Sequence, residues 1–248
     1  MEEKHAEVRL VEDNKTQKVA AKSKTWGKKL LNVFLIASVS LMALYFVGRL
    51  VWRFSGSNQW ELDRDTSGVK MYSWKAPGSD LKKFKGIVRI HSTPAILVKM
   101  TQDPELCLDA GCTQAKMIER VDDQLQYYSF QFKLPFPLHA REFVVREQYY
   151  QNPRTKDVLL EVVAAPDKIA PDSCCFRVSD IYNTWRFTPL ENGVVEVEWF
   201  VNMNEGGFVP DVLLNTRSKG MFQLLRELQG MASREKYQNA KFDFVKER

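Results

Sequence analysis

Residues 30 to 48, LLNVFLIASVSLMALYFVG, carry no charged side chain, and Asn32, Ser38 and Ser40 are the clearly polar groups in the run. A helix rises 1.5 Å per residue, so about 20 such residues cross the roughly 30 Å hydrocarbon core of a bilayer. The sequence therefore predicts a single transmembrane helix, an anchor over 30–52, with Trp26 and Trp52 near its two interfaces and Arg49 and Arg53 able to snorkel. A buried core helix is the alternative, but such a helix seldom stays apolar on every face for this length.

Lys15, Lys18, Lys22, Lys24, Lys28 and Lys29 precede the run closely, whereas Arg49, Arg53, Arg64 and Lys70 are the cations that follow it. The positive-inside rule then predicts a cytoplasmic basic tail over 1–29 and the remainder on the opposite side, the periplasm in a Gram-negative cell. A cleavable signal peptide is the rival reading; the leading polar region is long for one, and no A-x-A-like site follows closely. The formal charge of the whole chain is +5. It is too dilute to make the concentrated basic field of a nucleic-acid binder.

Beyond a short polar linker, 53–58, the patterning is that of one ordinary domain over 59–235, with 236–248 as a C-terminal tail. Residues 60–92 read as short strands broken at Ser67-Gly68 and Pro77-Gly78. A helix is predicted over 93–108 with Thr93 as N-cap and Pro94 in its first turn, interrupted near Asp103-Pro104. Strict alternation follows. Tyr128, Phe130, Phe132 and Leu134 share one face of a strand. Further strand-like runs occupy 142–150, 157–164, 175–187 and 194–203, and in the last of these Val195, Val197, Trp199, Val201 and Met203 face one way. Short turns such as Asn152-Pro153 and Glu191-Asn192-Gly193 make this an antiparallel meander, a curved sheet with one apolar face.

That face needs a cover. Pro210 can open a helix predicted over 210–235, where Val212, Leu213, Met221, Leu224, Leu225 and Leu228 recur at helical spacing. Arg217, Lys219, Arg226 and Glu227 would be misplaced in lipid, so this segment is expected to return over the sheet rather than to span a membrane.

Residue chemistry points away from catalysis. His5, His91 and His139 are the histidines, none with a nucleophile motif beside it, and His139 reads as a turn residue. Gly206-Gly207 lacks phosphate-loop spacing, and Asp122-Asp123 suit a solvated turn. No pattern of cysteine and histidine argues for zinc, so neither a metal nor a cofactor is predicted. Cys107 and Cys112 are close enough in sequence to bridge in an oxidising compartment, Cys174 and Cys175 would point to opposite faces of a strand, and buried free thiols are the alternative.

Three stretches together carry a resemblance: HAREFVVREQYY (139–150), NTWRFTPLENGVVEVEWFVNMNEGGFVP (183–210) and the terminal helix. With Arg141-Glu142-Phe143-Val144, then Trp185-Arg186-Phe187, then Gly206-Gly207 and Pro210, residues 59–232 resemble the START domain, the steroidogenic acute regulatory protein-related lipid-transfer domain. The resemblance implies an α+β helix-grip fold, a curved antiparallel sheet around a long C-terminal helix, with a tunnel holding one lipid. One departure is Leu108, which stands about where many bacterial-type members carry an aromatic residue after the first helix.

By alternation the concave wall is expected to comprise Tyr128, Phe130, Phe132, Phe143, Val145, Trp199, Val201 and Met203. Leu213, Met221, Leu224 and Leu228 of the terminal helix would touch the cargo and gate it. Glu147 shares the parity of Phe143 and Val145. Facing inward, it would require a ligand hydroxyl, Tyr128 or an Arg as partner; facing out, it is a solvated strand-end carboxylate. The expected function is binding, transfer or sensing of a sterol, phospholipid or similar lipid at a membrane. A helix-grip cyclase or hydrolase, favoured if Glu147 and His139 met in one pocket, and a solid-cored interaction scaffold are the alternatives.

Overall fold

A computed structural model describes residues 31–207, 209, 215 and 217–247, and divides the chain into two compact units, 1–54 and 55–248. Pro210, Val212 and Leu213 lie outside the described residues. In the first unit, helix α1 spans Leu31–Phe54. Its 24 residues make about 36 Å of helix, long and apolar enough to cross a membrane.

The second unit is built on a sheet of ten strands among the described residues: β1 (Trp60–Thr66), β2 (Val69–Trp74), β3 (Lys83–His91), β4 (Thr113–Arg120), β5 (Leu125–Phe132), β6 (Ala140–Gln151), β7 (Val158–Ala164), β8 (Cys175–Val178), β9 (Asp180–Pro189) and β10 (Val194–Asn204). Its order is β1-β2-β3-β10-β9-β7-β6-β5-β4. Each pair along that path is antiparallel, and β3 against β10 joins the N-terminal meander to the C-terminal strands. The predicted run 175–187 is two strands. β7 pairs with the second half of the long β6, and β8 runs parallel to its first four residues, from Ala140↔Cys175 to Phe143↔Val178.

Two hairpins turn on residue pairs with positive φ, Ser67-Gly68 and Asn192-Gly193, the twist that tight antiparallel connections favour. Helix α2 (Pro94–Thr101) has Thr93 as its N-cap, with Ile96 N donating to the Thr93 hydroxyl at 3.4 Å. Asp103 starts a separate helix, α3 (Pro104–Asp109), accepting from Glu105 N at 2.9 Å. The interruption at Asp103-Pro104 is thus a change of helix, because proline in the first turn needs no donor there.

Helix α4 (Ser218–Ala232) closes over the sheet with Met221, Phe222, Leu224, Leu225, Leu228 and Met231 buried. It crosses β3 at Gly86, where an added Cβ would lie 2.2 Å from Leu225 Cδ1. A short helix α5 (Glu235–Gln238) follows. The segment 236–248, expected as a tail beyond the domain, instead packs on it as far as described. Tyr237 and Val245 are buried in the core, and Lys236 Nζ and Tyr237 Oη each donate 2.7 Å bonds to Asp103. The segment's polar residues hid two anchoring side chains.

The cysteines are all disulfide-bonded, Cys107 to Cys112 and Cys174 to Cys175. The opposite-faces expectation for the second pair fails because Cys174 precedes the first residue of β8.

Candidate functional site

Between the concave face and α4 lies a cavity of about 390 Å³. At roughly 30 Å³ per water this is room for about thirteen waters, within the range of small-molecule sites. Strand parity decides its wall. In β5 against β6 the register pairs Gln126↔Glu147, Tyr128↔Val145 and Phe130↔Phe143, so all six side chains share one face. The last four of these six line the cavity, as do Glu147 and Phe132. Phe130 and Phe143 stack at 4.8 Å, with Phe132 edge-on to both. On β10, Trp199, Val201 and Met203 line it, and from α4 Met221 and Leu224 do. Leu228 is fully buried in the core and is absent from the cavity wall.

Alternation in the adjacent strands supplies lining residues that sequence reasoning passed over: Leu160 and Val162 of β7, and Ile181, Asn183 and Trp185 of β9. The same period-two pattern that singled out β5 and β10 was available there. Trp185 stacks on Trp199 at 4.4 Å between ring centroids. Helix α3 contributes Leu106 and Cys107, whereas Leu108 is 48% exposed and takes no part in the wall. At about 100° per residue, Leu108 is turned roughly 200° from Leu106, toward the opposite side of the helix.

Glu147 is buried and faces the cavity, and its partner is one the sequence did not suggest. Gln126 Nε2 donates to Glu147 Oε2 at 2.5 Å, while Arg120 Nη2 donates to Gln126 Oε1 at 3.2 Å. The expected Tyr128 instead donates its hydroxyl to Pro104 O at 3.3 Å. Burial pushes the Glu147 carboxyl up to about 7, against the lowering effects of the Gln126 hydrogen bond and the Arg120 charge. Burial, with the Glu147 and Asp103 carboxylates, also raises Tyr128, so this phenol keeps its proton.

Arg217 and Glu205 form an ion pair at the loop end of the cavity, and both line it. Burial pulls the Arg217 guanidinium down and Glu205 opposes the shift. His139 is exposed in the β5–β6 loop and is not in the wall, so Glu147 and His139 are not brought into one pocket. Among the described residues no group of three or more His, Cys, Asp or Glu could hold a metal ion.

No family model matches the chain. An uncharacterized protein of Pseudomonas aeruginosa is 26% identical over 164 residues, 64% of this chain and 79% of that protein. The structure resembles a STAR-related lipid transfer protein from Xanthomonas axonopodis with a TM-score of 0.62 at 23% identity, covering 69% of this chain and 98% of that one. It resembles human StAR-related lipid transfer protein 5 with a TM-score of 0.58 at 14% identity, covering 79% and 97%. At such identities the likeness is one of fold. Residues 55–248 therefore carry a START-like helix-grip fold, a curved antiparallel sheet gripping its C-terminal helix.

Proposed function

We propose that the chain is a single-pass, membrane-anchored protein that binds one lipid between the concave sheet and α4 and transfers or senses it at that membrane. The observation that carries this reading is a cavity walled mainly by aromatic and aliphatic side chains, with a few polar groups among them, notably the buried Glu147 carboxyl held by Gln126. Such a site rewards a ligand with an apolar body and one hydrogen-bonding group. A sterol, a phospholipid or a similar molecule meets that description, and START-type relatives of this fold are named for lipid transfer. The work is binding rather than bond chemistry: α4 and the neighbouring loops open, and the lipid exchanges bilayer for cavity.

Residues 30–52 serve as the anchor, 1–29 as a cytoplasmic tail, and the domain stands across the membrane. Tethering raises the domain's effective concentration at its own bilayer, which favours short-range exchange over free shuttling. A C-terminal reporter active only in the cytoplasm would overturn that topology.

The binding reading is tested on the full chain in vesicles containing a diazirine-bearing sterol or phospholipid. After photolysis, cross-links are expected on peptides from β5, β6 and β10. Cross-links confined to α1 would reject it, since lipid surrounding the anchor would then account for all contact.

A further inference from the structure

Among the described residues, three carboxyl groups stand in the cavity wall, those of Asp103, Glu147 and Glu205. Two have their cations. Asp103 accepts from Lys236 Nζ and Tyr237 Oη at 2.7 Å each, and Glu205 is paired with Arg217. Glu147 is 9% exposed and has none among the described residues: the one hydrogen bond to its carboxylate comes from the neutral Gln126 amide. Lys133, the other cation of the wall, stands seven residues beyond Gln126, the cross-strand partner of Glu147. At the rise of a strand that is roughly 20 Å, too far to pair.

The neighbours fix what Glu147 offers. Arg120 Nη2 donates to Gln126 Oε1 at 3.2 Å, so the amide turns its NH2 to Glu147. With a donor on one oxygen, the carboxylate keeps the other as an acceptor on the cavity side. Arg120 is exposed and outside the wall, so water screens its charge. A carboxylate buried beside no cation is costly, and buried acids are as a rule paired. The group that completes this one has to come from the contents of the cavity. A methylene fills about the volume of a water, so 390 Å³ takes about a dozen carbons, a single chain.

We propose that the ligand is a single-chain lipid bearing a primary amine, seated with its nitrogen on Glu147 and its chain along Phe130, Phe143 and Trp199. This deepens the lipid-binding reading and rests on it. An ammonium supplies both things the carboxylate lacks, a donor and a positive charge. Burial holds the Glu147 carboxyl at about 7, so below that value the empty site carries the proton that an entering neutral amine needs. The carboxyl O–H bond breaks as the N–H bond forms, and the ion pair results with no proton drawn from solvent. An alcohol satisfies the acceptor without neutralising it. A fatty acid sets a second carboxyl against the first, where the two cannot both ionise.

The test uses the full chain in phosphatidylcholine vesicles with dodecylamine, dodecanol or dodecanoic acid, each carrying a mid-chain diazirine and each at the same mole fraction in the bilayer. After photolysis, cross-links on peptides from β5, β6 and β10 are counted. The amine is expected to label them several-fold more than the alcohol, with the acid weakest. In Glu147→Gln the amine is expected to fall to the level of the alcohol. Equal or stronger labelling of the parent chain by the alcohol or the acid overturns the proposal without recourse to the variant. An amine preference that survives in Glu147→Gln overturns it as well. If sterol or phospholipid probes label these strands and no dodecyl probe does, the amine is rejected and the lipid-binding reading stands. If no probe of either kind labels them, both are rejected.

Discussion

Gln126 Nε2 donates a 2.5 Å hydrogen bond to the Glu147 carboxylate across the β5–β6 ladder, at the buried end of a cavity otherwise lined mainly by apolar side chains. Residues directly opposite in an antiparallel pair point to the same side, so the register that seats Phe130 on Phe143 also seats Gln126 on Glu147. The ladder therefore sets both the wall and its polar terminus.

Burial raises the folded Glu147 carboxyl to about 7, whereas the unfolded chain releases this proton near 4.3. Between these values the folded state holds the extra proton, so stability falls as pH rises through that window and the loss is complete above it. At 1.36 kcal/mol per unit the effect reaches roughly 4 kcal/mol. Glu147→Gln removes the titration, and its stability relative to the parent is expected to rise between pH 5 and pH 8. Denaturant melts at both values check this; an unchanged difference would sink it.

Gly86 is where α4 meets the sheet, with Leu225 Cδ1 and Met71 Sδ 2.2 and 2.9 Å from the site of a Cβ. Gly86→Val overpacks that contact and is expected to cost about 1–3 kcal/mol. Gly230, in the same helix, has nothing within 4 Å of its Cβ position. Gly230→Ala is expected to gain up to about 1 kcal/mol from helix propensity. Thermal unfolding of the two variants in opposite directions is the check.

Arg177 and Glu142 are 11% and 7% exposed and form a 2.9 Å ion pair. Arg177 also donates to the carbonyls of Pro166, Ile169 and Ala170, tying the β7–β8 connection to β6. Arg177→Met strands the carboxylate, a loss of about 3–5 kcal/mol for a buried pair. Adding Glu142→Gln to it is expected to recover part of that loss, because the unpaired charge is gone. A double variant no more stable than Arg177→Met would contradict this account.

The Cys107–Cys112 bond closes a short loop beside the cavity, and Cys107 is in the wall. Chain entropy gives such a loop about 2 kcal/mol. The adjacent Cys174–Cys175 pair encloses no intervening residue and contributes little by that mechanism. Reductant is expected to lower the melting temperature of the parent protein and hardly that of a Cys107→Ser, Cys112→Ser variant. An equal drop in both would place the stabilisation elsewhere.

Where burial is one-sided and the period regular, the sequence was enough. Helix α1 follows from length and the absence of charge, the starts of α2 and α3 from Thr93, Asp103 and the prolines after them, and the inward parity of β5, β6 and β10 from alternation. These are local properties, fixed by neighbours within a few residues.

Other features had no local signal. Every residue of β1 is exposed, so it shows no apolar period; it forms on the β2 ladder, with Trp60 edge-on to Phe200 and Arg64 over the Phe222 ring. In β4 two register irregularities and a positive φ at Gln114 break the alternation. β8 pairs with β6 across more than thirty residues of chain, and the partner of Glu147 is a glutamine twenty-one positions away. Glu205 meets Arg217, and the C-terminal segment finds Asp103, through the same long-range closure. The sequence by itself determined which faces are apolar. Only the tertiary structure decided that those faces enclose a cavity with a carboxylate at one end, because pairing across distant strands is set by the whole sheet and not by any stretch of it.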